Sequence, residues 1–203
     1  MTQAAVTHIL YLHGFLSSPG STKARMLCQA VHALRKNVLW WSPQLPPSPA
    51  AAASLILEGS ADWPAARMAV IGSSLGGHYA NWLAEHKRCR AVLLNPAVHA
   101  ARDLAGSVGR HPLWHAPEQS LDFRAEYLDE LRAQAVAQPT NGKQTLAIIA
   151  RGDEVLDWRE MARYHTGAQQ LVLDGSDHGL SDFDAYIPRV LAFLGLAQDP
   201  RPS

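Results

Sequence analysis

Short apolar runs alternate along the chain with longer amphipathic stretches, and this alternation limits the folds that the chain can adopt. The runs are mostly continuous in apolar character, as expected of strands that are covered on both faces. They span residues 7–12, 37–41, 68–72, 91–95, 145–150 and 170–174. The stretches with helical character span residues 21–35, 50–58, 75–85, 121–137, 158–164 and 183–194. The sequence therefore predicts an α/β fold, with a mostly parallel sheet of about six strands and helices on both faces.

The length of the chain predicts its domain organisation, and its charge balance limits the partners that it can have. At 203 residues, the chain is expected to form one compact domain over residues 1–196, followed by a flexible tail at 197–203. Lysine plus arginine and aspartate plus glutamate number 18 each. This even balance argues against nucleic acid and against an anionic membrane surface as partners.

The sequence also bears on where the protein works. No segment has the length and apolar character of a membrane span, and the N-terminal residues lack the basic start of an export signal. Cys28 and Cys89 have no C-x-x-C spacing, which fits a reducing compartment better than a disulfide scaffold. We therefore predict a cytoplasmic location, with both cysteines as packing or surface residues.

Residues 96–120 form a connection that is too long for an ordinary loop between a strand and a helix. Two interpretations are open, a small cap over a site or an irregular surface loop. Trp114 lies within this connection and is a candidate lining residue of a substrate pocket.

The segment Gly72-Ser73-Ser74-Leu75-Gly76 matches the pattern G-x-S-x-G. It follows an apolar run and precedes an amphipathic stretch, which is the strand–turn–helix setting of a nucleophile elbow. A serine at the apex of such a turn has a strained backbone, and its neighbours two positions away nearly touch, so Gly72 and Gly76 need to lack side chains. Ser74 is the predicted nucleophile. The alternative is a glycine-rich turn whose serine has no chemical role.

A serine nucleophile needs a base, and in this setting the serine, the acid and the histidine follow one another along the chain. Of the ten histidines, only His165 and His178 lie beyond the fifth predicted strand. His165 is near the end of a predicted helix, where it acts more simply as a helix C-terminal cation. His178 lies on a polar, glycine-flanked loop after the last strand, so we predict that it is the base.

The predicted acid is Asp153, which follows the fifth predicted strand, from where a carboxylate can reach a histidine on the next loop. Asp157 is the alternative acid, although its position also fits the N-cap of the following helix. Glu154 is expected to point the other way. Asp174 and Asp177 are expected in turns.

An acyl-transfer enzyme also needs hydrogen-bond donors for the oxyanion. The residues His13-Gly14-Phe15 follow the first predicted strand, and Gly14 lets the backbone approach a substrate closely. The backbone amides of Phe15 and Leu75 are the predicted donors. His13 is expected to brace this loop rather than to act as a base, because it precedes the serine.

The sequence predicts neither a metal nor a cofactor. The remaining histidines have no H-E-x-x-H or similar ligand spacing, and acyl transfer by a serine needs no cofactor. Lys23 follows the segment SSPGST and either solvates the start of a helix or attracts an acidic leaving group.

Four motifs together resemble the small bacterial YqiA-like esterases of the α/β-hydrolase superfamily. They are LYLHGFLSSPGSTKA, IGSSLGG, RGDEVLDW and GSDHGLSDF, and they span most of the chain in the expected order. The resemblance implies an α/β-hydrolase fold and an esterase or thioesterase in which Ser74 is the nucleophile, His178 the base and Asp153 the acid. It also implies an oxyanion hole at Phe15 and Leu75, and acyl esters or acyl-CoA thioesters as small-molecule substrates.

The predicted function is therefore that of a serine esterase or thioesterase that works through an acyl-enzyme intermediate. One alternative is a non-catalytic ligand-binding protein that keeps the hydrolase fold. A complete set of catalytic residues argues against it, because a protein that only binds has no use for a strained serine. The other alternative is a C–C hydrolase or a perhydrolase with the same three residues.

Overall fold

The central element is a parallel sheet of six strands, in the order β2-β1-β3-β4-β7-β8. The computed structural model describes residues 4–197. Its strands are β1 (His8–Leu12), β2 (Leu39–Trp41), β3 (Met68–Ser73), β4 (Arg90–Leu94), β7 (Thr145–Ala150) and β8 (Gln169–Leu173). Each strand overlaps one of the six predicted apolar runs, so the prediction of a mostly parallel sheet is confirmed.

Helices follow the strands along the chain. They are α1 (Thr22–Leu34), α2 (Pro49–Gly59), α3 (Leu75–Lys87), α4 (Ala100–Asp103), α5 (Glu126–Ala133), α6 (Trp158–Tyr164) and α7 (Ile187–Phe193). None of the described helices is long and apolar enough to cross a membrane. The predicted tail at 197–203 lies, except for Ala197, outside the described residues, and the single domain over 1–196 stays a prediction.

The sheet separates two hydrophobic cores. Successive residues of a strand point to opposite faces, so Leu10 and Leu12 belong to one core while Ile9 and Tyr11 belong to the other. The first core is closed by residues of α2, α3, α5 and α6, namely Ile56, Leu83, Leu131 and Met161. The second core is closed by residues of α1 and α7, namely Leu27 and Val190. Helices therefore cover both faces of the sheet, as predicted.

The predicted helix at 121–137 is too long at both ends. Its first residues belong instead to strand β6 (Ala116–Phe123), which pairs antiparallel with strand β5 (Gly109–Leu113). Phe123 is buried, with its ring against those of Phe15 and Tyr127. Burial of this one strand residue against a distant loop outweighs the local helical pattern, and helix α5 begins only at Glu126.

The long connection at 96–120 is not an irregular loop. It contains α4, β5 and most of β6. The resulting hairpin reaches the loop after β1, because the amide of Trp114 donates to the carbonyl of Leu16.

Two histidines are buried without a full set of hydrogen bonds. His78 on α3 and His165 after α6 are 8% and 2% exposed. Neither Nε2 atom has a hydrogen-bond partner within the part of the chain that the structure describes. Burial lowers the pKa of each imidazole to about 4, because a charged ring would lose its hydration in this environment.

We expect these two histidines to make the fold sensitive to acid. Their folded-state pKa of about 4 lies below the unfolded value of about 6.5, so between these pH values the unfolded chain binds protons that the folded chain excludes. Each histidine then lowers the free energy of unfolding by roughly 1.4 kcal/mol for every pH unit below about 6.5. Urea unfolding at pH 7, 6 and 5 measures this slope.

The His165→Gln variant should have a shallower slope, because its side chain takes up no proton. His115→Gln is the matched control, since His115 is exposed on the hairpin. Equal slopes for His165→Gln and the unmodified protein would contradict this assignment.

Candidate active site

Ser74 stands at the sharp turn between β3 and α3. Its backbone has φ 55° and ψ −119°, in a region that residues with a side chain rarely adopt. A Cβ atom on Gly72 would lie 2.0 Å from the carbonyl oxygen of Gly76, and one on Gly76 would lie 2.0 Å from the carbonyl oxygen of Leu12. Both glycines are therefore sterically required, as the sequence predicts.

The three residues predicted as nucleophile, base and acid lie in one line of hydrogen bonds. The distance from Ser74 Oγ to His178 Nε2 is 3.0 Å, and the distance from His178 Nδ1 to Asp153 Oδ2 is 2.8 Å. The Asp153 side chain is fully buried and that of His178 is 16% exposed. Because the carboxylate accepts from Nδ1, the lone pair of Nε2 faces the serine hydroxyl, as a general base requires.

Backbone amides hold the Asp153 carboxylate in place. Oδ1 accepts hydrogen bonds from the amides of Val155 and Leu156, both at 2.8 Å. The oxygen that lies nearest to the His178 ring, Oδ2, is thereby aimed at Nδ1. The two backbone amides and the His178 ring therefore fix the orientation of the Asp153 carboxylate.

The other carboxylates on these loops have separate partners. Asp157 caps α6, since its side chain accepts from the amide of Arg159 at 2.9 Å. The expectation for Glu154 is wrong, because its carboxylate points to the histidine loop and accepts from the His178 amide at 2.9 Å. Asp174 pairs with Arg151.

Asn95 positions the histidine loop, and the sequence analysis did not identify it. It follows β4, is fully buried and has φ 42°. Its side-chain amide donates to the carbonyls of Asp177 and His178 at 3.0 and 3.2 Å, and its oxygen accepts from the amide of Ala150 at 2.8 Å. In the sequence, the feature that points to Asn95 is its place as a polar residue directly after a continuous apolar run.

Two backbone amides beside Ser74 are free to bind an oxyanion. The amides of Phe15 and Leu75 have no hydrogen-bond acceptor among residues 4–197. Leu75 is the first residue of α3, and the first amides of a helix have no partner inside it. Gly14 lies against Ser74, since a Cβ atom there would be 3.4 Å from Ser74 Cβ.

His13 braces the loop that carries the Phe15 amide. Its Nδ1 donates to the carbonyl of Gly14 at 2.9 Å, and its Nε2 accepts from the amide of Leu45 at 3.1 Å. Burial lowers the pKa of this imidazole, which keeps it neutral and able to accept at Nε2. This geometry matches the bracing role expected from the sequence.

A cleft of about 300 Å³ opens over Ser74 and His178. Phe15, Leu104, Trp114 and Val155 give it apolar walls. Trp114 is 71% exposed and lies at its mouth. Within the described range no group of three or more His, Cys, Asp or Glu side chains is placed to bind a metal.

Comparison with known proteins identifies the family. Residues 8–195 match the model of a family described as "Uncharacterised protein family (UPF0227)". The chain belongs to the UPF0227 family. This confirms the YqiA-like resemblance that the four motifs indicate.

Curated relatives carry the same family name. A UPF0227 protein of Shewanella oneidensis is 24% identical over 128 residues, which cover 61% of this chain and 63% of the relative. One from Yersinia enterocolitica is 24% identical over 132 residues, which cover 64% of this chain and 67% of the relative. The match thus spans less than two thirds of the Shewanella protein.

Solved structures share the fold of this UPF0227 chain. Alpha/beta hydrolase domain-containing protein 10 from mouse is similar with a TM-score of 0.72 at 12% identity, over 95% of this chain and 91% of that protein. A structure from the metagenome-derived lipolytic enzymes LipS and LipT gives 0.71 at 19% identity, over 97% of both chains. The Pyrococcus furiosus esterase PF2001 gives 0.61 at 16%, over 95% and 83%. The α/β-hydrolase fold predicted for the chain is confirmed.

The Gly76→Ala variant should lose stability. The added Cβ atom would lie 2.0 Å from the carbonyl oxygen of Leu12. Because backbone atoms cannot move aside as a flexible side chain can, we expect the free energy of unfolding to fall by about 1–3 kcal/mol. Thermal and urea unfolding followed by circular dichroism measure this. Gly106→Ala is the control, because a Cβ atom there would have no neighbour within 4 Å; an equal effect of both substitutions would contradict the steric argument.

Proposed function

We propose that this UPF0227 protein is a serine hydrolase that cleaves carboxylic esters or thioesters through an acyl-enzyme intermediate. The observation that carries the proposal is the line of hydrogen bonds from Ser74 Oγ through His178 to Asp153, at 3.0 and 2.8 Å. Serine, imidazole and carboxylate in this order can generate a nucleophile at neutral pH.

In the first half of the reaction, Ser74 Oγ attacks the carbonyl carbon of the ester while His178 Nε2 takes the hydroxyl proton. The electron pair of the carbonyl bond moves to its oxygen, which accepts hydrogen bonds from the amides of Phe15 and Leu75. When this tetrahedral intermediate collapses, the bond to the leaving oxygen or sulfur breaks. The imidazolium returns its proton to the leaving alcohol or thiol.

In the second half, water repeats the sequence on the acyl-serine. His178 removes a proton from the water, the hydroxide adds to the acyl carbon, and the same amides stabilise the oxyanion. Collapse releases the carboxylic acid and returns the proton to Ser74 Oγ. Asp153 keeps the ring in one tautomer and stabilises the imidazolium in both halves.

The backbone geometry favours turnover over ligand binding alone. Ser74 has φ 55°, and such a conformation costs of order 1–3 kcal/mol. The amides of Phe15 and Leu75, without acceptors in the described part of the chain, are the donors that an oxyanion needs. A protein that only binds a ligand would have no use for either feature.

The cleft suggests the class of substrate. Its apolar walls at Phe15, Leu104, Trp114 and Val155 suit an apolar acyl group of a small-molecule ester, and we propose that residues 96–120 act as a small cap over it. A cytoplasmic location, and the lack of nucleic-acid and membrane partners, stay predictions from the composition.

The Ser74→Ala variant should lose at least about 10³-fold in kcat/KM for 4-nitrophenyl butanoate, because no other group supplies the nucleophile. A fluorophosphonate probe should label the unmodified protein at Ser74, as located by peptide mass spectrometry. Ser54→Ala, on an exposed position of α2, is the control for handling and folding. Turnover by purified Ser74→Ala would exclude the mechanism.

Substitution of each candidate in turn should show whether Asp153 or Asp157 is the acid that orients His178. Asp153→Asn leaves the shape of the side chain but lets the ring take the wrong tautomer, so kcat should fall by roughly 10³ to 10⁴. Asp157→Asn should retain activity, because asparagine caps a helix about as well as aspartate. The reverse outcome would assign the acid to Asp157.

A further inference from the structure

Lys23 places a positive charge in the same cleft as Ser74 and His178. Its Nζ donates a hydrogen bond to the carbonyl of Gly179, the residue that follows His178. Among residues 4–197, no carboxylate lies within ion-pair distance of this ammonium. An ammonium has three donors, so two remain for another acceptor.

The surroundings of Lys23 are polar and suited to an anion. Ser17 and Ser21 line the cleft next to it. Ser21 Oγ is buried and interacts with the side chain of Tyr11, since burial raises the pKa of Tyr11 and the contact with Ser21 lowers it. Although Ser21 occupies the N-cap position of α1, it makes no side-chain cap bond, and the positive end of the helix dipole lies at the same place.

The two carboxylates near Lys23, those of Asp103 and Asp177, bind other groups. Asp103, which also lines the cleft, forms an ion pair with Arg102 at 2.8 Å, and Arg102 pairs with Glu160 as well, at 2.6 Å. Asp177 is near enough to raise the pKa of Lys23 against the effect of burial, which lowers it. Its Oδ1, however, accepts from the amide of Ser181 at 2.9 Å. Lys23 is therefore a cation of the cleft that makes no direct ion pair with a carboxylate among the described residues.

The position of the Lys23 ammonium is close to where the leaving group of a substrate has to lie. His178 Nε2 must protonate the leaving oxygen or sulfur, so the leaving group has to lie beside His178. Lys23 is bonded to the residue that follows His178. Given the proposed hydrolase function, we propose that Lys23, Ser17 and Ser21 form a subsite for a carboxylate or phosphate group on the leaving alcohol or thiol of the substrate.

The test compares an anionic and a neutral ester of the same acyl group, and the comparison between protein variants isolates the contribution of residue 23. The anionic probe is 4-(butanoyloxy)benzoate and the neutral probe is its methyl ester, with release of the phenol followed for both. The measured quantity is the ratio of kcat/KM for the anionic probe to that for the neutral probe. We expect this ratio to be about tenfold lower in Lys23→Met than in the unmodified protein, which is the size expected of one charge-assisted hydrogen bond.

Three controls separate the subsite from other roles of Lys23. Lys23→Arg keeps the charge and should retain most of the preference. Lys36→Met removes a charge at an exposed position outside the cleft and should leave the ratio unchanged. A purely structural role of Lys23 in holding the histidine loop would change both rates together and leave the ratio constant.

Further probes identify the anion and its side of the ester. 4-(Butanoyloxy)phenyl phosphate replaces the carboxylate by a phosphate, and a larger dependence on Lys23 for one of the two identifies the preferred group. Phenyl hydrogen glutarate and phenyl methyl glutarate move the charge to the acyl side, where we expect little dependence on Lys23.

The outcomes separate this inference from the proposed function. A ratio that is independent of residue 23, with turnover of both benzoate probes, would overturn the subsite and leave the hydrolase intact. A dependence found only for the glutarate pair would also overturn it, because the anion would then belong to the acyl group. No turnover of any probe by the unmodified protein would overturn the proposed function and this inference with it.

Discussion

The close approach of α3 to the ends of β1 and β3 is the constraint on which the rest of the site depends. The helix begins directly after the strand, which is possible only because Gly72 and Gly76 leave room for backbone oxygens. The same geometry sets φ of Ser74 to 55° and leaves the Leu75 amide at the first turn of the helix. The buried sheet on either side supplies the packing free energy that offsets this local strain.

The parallel sheet then brings together groups that are far apart in sequence. The carboxyl ends of parallel strands meet at one edge, so Ser74 after β3, Asp153 after β7 and His178 after β8 share that edge. Asn95, after β4, links two of these loops through hydrogen bonds to Ala150, Asp177 and His178. Since Asn95 is fully buried, each of these bonds is shielded from competition by water, and the histidine loop is held at a fixed distance from the serine.

Local patterns determined how much could be predicted from the sequence. The strands were predictable because each is a continuous buried run, and the elbow was predictable because its steric demands lie within five adjacent residues. The roles of Asn95 and Glu154 depend on contacts between loops that are distant in sequence, which no local pattern carries. The last residues of strand β6, from 121 to 123, differ from the predicted helix for the same reason, since Phe123 is fixed by ring contacts with Phe15 on the loop after β1.

A chain of zero formal net charge can still place single charges inside a cleft. Over the whole surface the charges cancel, so long-range attraction of an anion is weak. Inside the cleft, Asp103 pairs with Arg102, which also binds Glu160, while Lys23 has a carbonyl as its partner. Screening in salt reduces interactions beyond about 8–10 Å, but a bound group in contact with Lys23 lies well within that range. Any preference for an anionic leaving group should therefore arise in the bound complex, through KM, rather than in the rate of encounter.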